Sequence, residues 1–348
     1  MDGRTDRAQP RSPFFDAASD RRRVCYIAAG DTFCALSMEP CGTRGNTSRA
    51  ATLNEPTIFA GIELGGTKLL CRAVDAEGRV LVDQRFATTS PAQAMRDIGD
   101  CLDKVLANGR RFSGIGIATF GPITLDPNAP GYGHLLTTPK HGWSGFDLLG
   151  EVRRRFNAPV AIDTDVNAAA LAEQKNGAGR GFGCVAYVTV GTGIGGGLSC
   201  EGKILHGSMH PEIGHIRLRR RESDNVASAC PFHDDCAEGL ASGAAIAKRL
   251  GPSESLADSS TMLALIAEYL GELLATLTLA WSPHCIVLGG GVSKTAGIHN
   301  LIAEAMQRAL GDYGPAAAAR SDFIVAPHFA DSGLEGALLM ARAAHLSS

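Results

Sequence analysis

Cys230, His233 and Cys236 are spaced C-x2-H-x2-C, and His215 lies upstream in the run HPEIGH. Two thiolates and two imidazoles are the donor set of a closed tetrahedral zinc site. Four protein ligands leave no open position, so the pattern points to structural Zn2+ rather than a catalytic ion. The alternative is that all four are incidental members of a polar loop. Glu212 and Glu238 flank the set, so a metal-clamped loop would present two carboxylates to a polar substrate. His206 and His210 are nearby, and His210 is expected to pack beside Pro211. Arg217, Arg219, Arg220 and Arg221 read as a solvated face.

A second chemistry resides in glycine. Gly65-Gly66-Thr67-Lys68 and Gly191-Thr192-Gly193 each place backbone N–H groups and a hydroxyl at a turn, and Gly289, Gly290 and Gly291 follow an apolar run. Glycine lets the backbone approach a phosphate closely enough for its N–H groups to donate. A single such turn is equally well a tight hairpin; two alike, each with threonine, are a stronger signal. Gly191, Gly193 and Gly196 also satisfy G-x-G-x-x-G. That fingerprint needs a helix directly after the turn. Leu198-Ser199-Cys200 and Ile204-Leu205 read as strand instead, which excludes a nicotinamide dehydrogenase. Asp163 and Asp165 close a strand, and Asn167 opens a helix. Asp163 is expected to act as a helix cap. Asp165 falls where the carboxyl ends of strands form ligand crevices, and could take a proton from an attacking hydroxyl.

The elements around these residues alternate. Strands are expected over 58–64, 68–74, 80–86, 114–120, 159–163, the hairpin 185–205, 284–288 and 323–326. Helices are expected from Pro91, over Phe146–Phe156, after Asp165, over Met262–Trp281 and 297–310, and from Ser332. The stretches IELGGTKLLC and VTVGTGIGGGLSC look like one unit used twice. This is α/β with two related lobes. Residues 1–56 lack a sustained period and are expected to be a mostly disordered extension, with one strand-like patch at 24–30. The net charge of −3 gives no basic surface for nucleic acid, and no run of eighteen apolar residues suggests a membrane span. Of the ten cysteines, Cys71, Cys101, Cys184, Cys200 and Cys285 stand singly and read as small buried hydrophobes. No apolar signal core precedes them, so a reducing cytoplasm is expected.

GIELGGTK, FGPI, TPKHGW, DTDVNAAALAE, VGTGIGGG, HPEIGH, CPFHDDCAEGLASG and GGGV follow one another along the chain. In this set, residues 57–346 resemble a sugar kinase of the ROK (repressor, open reading frame, kinase) family, in particular its zinc-containing bacterial fructokinases. The resemblance implies a two-lobed actin-like (ribonuclease H-like) ATPase/sugar kinase fold with an inserted zinc-binding loop. Residues 57–165 with the C-terminal helix 332–348 would form the small lobe, and 166–331 the large lobe with metal segment 210–238. ATP, Mg2+ and a sugar would meet between them, without nucleic acid or membrane, in a cytoplasmic homodimer. Gly65, Gly66, Thr67 and Lys68 would form one phosphate loop, Gly191, Thr192 and Gly193 the other, and Gly289, Gly290 and Gly291 would lie by the adenosine. Asp165 would be the base, and Glu212, His215 and Glu238 would hold sugar hydroxyls. The implied reaction converts D-fructose to fructose 6-phosphate; the alternatives are a mannose or glucose kinase, or a sugar-sensing repressor. Two departures stand out. Thr164 replaces an Asn that many members carry before the base, and His233 takes the place of a metal-loop cysteine.

Overall fold

The first glycine hairpin joins β1 (Ile58–Leu64) to β2 (Lys68–Asp75), paired antiparallel, with β3 (Val80–Ala87) at the edge. The computed structural model describes residues 57–347, apart from 107–108, 252–253 and 312. The expected extension 1–56 and its strand-like patch lie outside the described residues. β1 is buried along its whole length and apolar except for Glu63, as suits a central strand covered on both faces. β3 alternates between exposed and half-buried positions, as an edge strand with one wet face does. β4 (Gly114–Thr119) and β5 (Val160–Thr164) continue the sheet in parallel, giving the order β3-β2-β1-β4-β5.

The second sheet repeats this plan. β6 (Cys184–Val190) and β7 (Ile194–Cys200) form the hairpin, and β8 (Lys203–Ile204) is the edge. β9 (Cys285–Gly289) and β10 (Ile324–Val325) run parallel to β6, in the order β10-β9-β6-β7-β8. Strand for strand this is the first sheet again. α1 (Pro91–Leu102) and α2 (Leu148–Phe156) contribute to the first core, and α6 (Ser260–Trp281) and α7 (Ile298–Leu310) to the second. α6 is long and apolar enough to cross a membrane, but Ile266, Leu270, Leu273, Leu274 and Leu277 are buried within the second core.

The two halves exchange their last helices. α3 (Asp165–Asn176) follows β5 yet packs on β6 and β7, while α8 (Ser332–Leu346) follows β10 yet packs on β1 and β4. The two helices also pack against each other. Glycine makes this possible at two points. A Cβ on Gly336 would lie 2.0 Å from the Ala168 carbonyl, and one on Gly116 would lie 1.8 Å from that of Ala337. Both helices begin at the carboxyl ends of strands, with Asp165 at the first turn of α3 and Asp331 at the N-cap of α8.

Two expectations change. Cys184 and Cys200 are not isolated buried hydrophobes. They face each other at the far end of the β6–β7 hairpin, are half-buried, and form a disulfide. Both lie eight residues from Thr192, so the hairpin's symmetry carried the signal. In a reducing compartment the same register leaves two adjacent thiols. Asp163 is not the cap of α3: the Thr164 hydroxyl accepts the Asn167 N–H at 3.2 Å. Asp163 is buried beneath it, accepting from the Thr164 N–H, the Asn167 side-chain amide and His206 Nε2 at 2.7, 2.8 and 2.8 Å.

Candidate functional site

A cleft of about 580 Å³ opens where α3 and α8 begin, lined by Glu63, Lys68, Asp165, Gly289, Gly290, Gly291 and Asp331, among others. The Asp165 carboxylate accepts the N–H of Val166 at 2.9 Å. Asp165 is half-buried and lines the cleft, its carboxyl group largely removed from water. That enclosure, with the charges of Glu63 and then Glu212, pushes its pKa up to about 7. A carboxyl group balanced near neutrality can accept a proton and release it again.

Around Asp165 the charges alternate. Lys68 donates to Asp331 at 2.8 Å and lies 3.7 Å from Glu63. Arg85 also pairs with Asp331, at 3.1 Å. Glu63 accepts the N–H of Leu334 in the first turn of α8, and its own pKa is raised by burial. Glu173, fully buried, accepts from the N–H groups of His328 and Phe329 and from the Ser332 hydroxyl, fixing the loop that leads into α8. None of Glu63, Asp331 and Glu173 stood out in the sequence; each makes a bond to a residue more than 150 positions away.

The glycine turns border this space without all lining it. Gly66 and Thr67 are exposed at the first tip, where Thr88 of the segment after β3 donates its hydroxyl to the Gly65 carbonyl at 2.8 Å. At the second tip, the Gly191 N–H bonds the Gly193 carbonyl, and the Gly243 N–H bonds the Gly191 carbonyl at 2.7 Å. Gly290 has φ +91°, and a Cβ there would meet the Val190 carbonyl at 2.3 Å. The third glycine run therefore folds directly against the second turn. Lys68, Gly289, Gly290 and Gly291 share a cavity with Asp165, whereas Gly65, Gly66, Thr67, Gly191, Thr192 and Gly193 do not line it.

Glu212 and Glu238 lie at the other end. Glu238 accepts the Ile194 N–H at 3.0 Å, which fastens it to the second hairpin. Burial and the charge of Glu238 push the Glu212 carboxyl up to about 7. A Cβ on Gly121, just beyond β4, would lie 2.9 Å from His210 Cε1 and 3.3 Å from Glu212 Oε1. His210 is buried beside Pro211, as expected. It also accepts the Ile123 N–H through Nε2 at 3.1 Å, which assigns the ring proton to Nδ1. The FGPI segment of one half and HPEIGH of the other are thus joined at the site.

His215, Cys230, His233 and Cys236 converge, all four ligand atoms lying within 4.8 Å of one another. The His215 Nδ1 atom is 3.7 Å from Cys230 Sγ and 3.8 Å from Cys236 Sγ, and His233 Nδ1 is 3.7 Å from Cys230 Sγ. Zinc bonds of about 2.3 Å to sulfur and 2.05 Å to nitrogen, at tetrahedral angles, give edges of about 3.6 Å. The donor set therefore fits Zn2+. The Phe232 and Gly239 N–H groups each donate to a cysteine sulfur at 3.4 Å, as suits thiolates. Since Nδ1 of His215 faces the sulfurs, Nε2 is the ring nitrogen left for a second contact.

This segment is anchored by a buried ion pair between Asp224 and Arg249, at 2.7 Å, with the Tyr269 hydroxyl donating to the same carboxylate. Part of the arginine run departs from a solvated face. Arg220 is half-buried and donates to the Asp224, Val226 and Asp234 carbonyls, whereas Arg217 and Arg219 are exposed. The helices α4 (Ala237–Ala241) and α5 (Gly243–Arg249) follow directly.

Residues 59–344 match the ROK family. The chain belongs to the ROK family. It is 38% identical over 300 residues to a fructokinase of Zymomonas mobilis, an alignment covering 84% of this chain and 98% of that one. It is 35% identical over 288 residues to a fructokinase of Pediococcus pentosaceus, covering 82% and 98%. Among solved structures it is similar to a ROK family glucokinase from Streptomyces griseus in complex with glucose and AMPPNP. That likeness has a TM-score of 0.66 and 26% identity, and covers 83% of this chain and 99% of that one. The ROK match spans both sheets and the metal segment, so neither half is an addition to the family's fold.

Proposed function

We propose that this ROK protein is an ATP-dependent fructokinase that converts D-fructose to fructose 6-phosphate. The observation that carries the reading is Asp165. It lines one cleft with Lys68 and Gly289–Gly291, and its carboxyl is poised near 7 by enclosure and by its acidic neighbours. Fructokinases match at 35% and 38% identity over most of both chains, above the 27% of a glucokinase of Streptomyces coelicolor that matches over a similar length, and this supports the choice of sugar.

In this reading Asp165 takes the proton of the 6-hydroxyl as it attacks the γ-phosphate. Gly65, Gly66, Thr67 and Lys68 hold the phosphates from one half, and Gly191, Thr192 and Gly193 from the other. Gly289, Gly290 and Gly291 border the adenosine. Glu212, Glu238 and His215 Nε2 orient the sugar hydroxyls. Glu63 and Asp331 supply hard oxygen donors beside Lys68, suited to the Mg2+ that accompanies ATP and neutralises charge on the β- and γ-phosphates. His215, Cys230, His233 and Cys236 would hold Zn2+, a closed cross-link that fixes the spacing of Glu212 and Glu238. Residues 57–165 with 332–348 would move as one lobe and 166–331 as the other, closing to exclude water. The reaction would take place in the cytoplasm.

The test is an ADP-coupled assay with Mg2+ and ATP across fructose, mannose, glucose and N-acetylated hexosamines. Fructose should give the highest kcat/KM. A preference for glucose or mannose would remove the sugar assignment and keep the kinase; no turnover with any hexose would remove both.

A further inference from the structure

Lys140 lies on the segment between β4 and α2, in the run TPKHGW. Its ammonium donates to the Gly66 carbonyl of the first glycine turn and lies 5.4 Å from the centre of the Phe120 ring. Among the described residues no carboxylate pairs with it, in contrast to Lys68, which is bound to Asp331 and Glu63. Burial holds its pKa below the usual lysine range. A half-buried ammonium with only a neutral carbonyl and a ring face for partners is a positive charge without its anion.

The surrounding geometry locates that charge. Trp143 is buried, its Nε1 donates to the Thr89 carbonyl at 2.8 Å, and its ring meets Phe120 edge-on at 5.4 Å. The Thr138 N–H donates to Ser144 Oγ at 3.1 Å, so the loop is tied on both sides of Lys140. Phe120 leads into Gly121, which packs against Glu212 and His210. Lys140 thus stands between the sugar end of the site and the tip of the first glycine turn.

We propose that Lys140 is a catalytic cation that leaves the Gly66 carbonyl for the γ-phosphate of bound ATP and neutralises charge on its oxygens during transfer. The inference rests on the reading above, in which Gly65–Lys68 is a phosphate turn and Asp165 the base. As transfer proceeds, sugar O6 bonds to the γ-phosphorus and the bond from that phosphorus to the bridging oxygen breaks. ADP leaves with the electron pair, and the O6 proton passes to Asp165. Lys140 exchanges neither proton nor electrons; it contributes charge where charge is transferred.

The experiment compares wild type, K140M, K140R and D165N with ATP, Mg2+ and whichever hexose is turned over best. It includes thermal unfolding and equilibrium binding of ADP. Methionine keeps the length and the packing on Phe120 while removing the charge. K140M should lose about 10²–10³-fold in kcat, as for removal of one group that stabilises transition-state charge, with Tm, ADP affinity and sugar KM within about threefold or a few degrees of wild type. K140R should recover to within about tenfold. If K140M turns over like wild type while D165N is crippled, the Lys140 role is wrong and the kinase reading stands. If K140M loses sugar affinity or Tm rather than kcat, the lysine is a structural tie and the role is again wrong. If D165N also turns over normally, the underlying reading falls with it.

Discussion

The two halves of this protein have the same sheet and different uses for it. Each runs from an edge strand through a hairpin, whose first strand is central, to two parallel strands. Each ends by sending a helix across to the other half, and each of those helices starts beside an aspartate. Asp165 lies among carboxylates, with its pKa raised to about 7. Its counterpart Asp331 accepts from Lys68 and Arg85. The insertions differ as well. The first half inserts the segment 121–147 between β4 and α2, and it carries Lys140. The second inserts 205–236 after β8, and it carries the metal ligands. The duplicated sheets supply the frame, and the unlike insertions meet at Gly121 and Glu212. Chemistry here arises from asymmetry placed on a symmetric frame.

The sharpest way to break that comparison is D165N, which should lower kcat about 10²–10⁴-fold with the fold retained. Near-normal turnover would make the aspartate of the first half as dispensable for proton transfer as its ion-paired counterpart. The pH dependence carries the same sign. Asp165 and Glu212 both have pKa values raised to about 7, so the basic forms are lost as pH falls through 7. kcat/KM should decline on that acid side, with an apparent pKa belonging to the coupled set rather than to one residue. Stability runs the other way. A raised carboxyl pKa means that the fold favours the neutral form, so this contribution is present below pH 4 and lost as pH rises through 7. D165N should therefore melt above wild type at pH 8, with the gap closing toward pH 4. A gap that widens in acid would show that the carboxyl is not held neutral by the fold.

Next in size is the anchor of the second insertion. Asp224 and Arg249 are 2.7 Å apart and nearly inaccessible, so D224A strands a buried guanidinium. A loss of about 3–5 kcal/mol is expected from denaturant unfolding. A loss under 1 kcal/mol would mean that the metal segment holds itself in place without this pair.

The metal ligands test whether that segment sets the sugar site. C230S, C236S or chelation should raise the sugar KM about 10–100-fold and lower Tm, although neither cysteine is proposed to touch sugar. Hydrogen exchange should then accelerate through 210–249 and leave β1, β2 and β4 protected. Uniform loosening of both sheets would contradict the separation of frame and insertion. Metal analysis of the purified protein should find about one zinc per chain.

What the sequence disclosed follows from how local each feature is. The glycine turns, Asp165 and the C-x2-H-x2-C ligands were legible because their chemistry lies within a few residues of backbone. The repeat was legible because both hairpins carry the same pattern, and the two sheets then show the same strand order. Lys140, Glu63 and Asp331 stayed hidden because each acquires its meaning from a distant partner: Gly66, Leu334 and Lys68 respectively. The Cys184–Cys200 pair lay between these cases. The hairpin is legible in its glycine pattern, but the pairing of Cys184 with Cys200 emerges only when its register is extended from Thr192 to the ends of both strands.

The smallest effect concerns the cap that separates the two aspartates at the end of β5. Thr164 is buried, and its hydroxyl caps α3, which leaves Asp165 one position further on to face the cleft. α8 has no such arrangement: Asp331 occupies the cap position and makes no capping bond with its side chain. T164A should cost about 1 kcal/mol, whereas T164N, with another good capping side chain, should be close to neutral. Turnover should change less than about threefold in both, because the cap holds the helix and not the proton. If T164A instead loses turnover on the scale of D165N at unchanged stability, the hydroxyl acts on the substrate. The departure from the family's asparagine would then be a matter of chemistry rather than of helix ends.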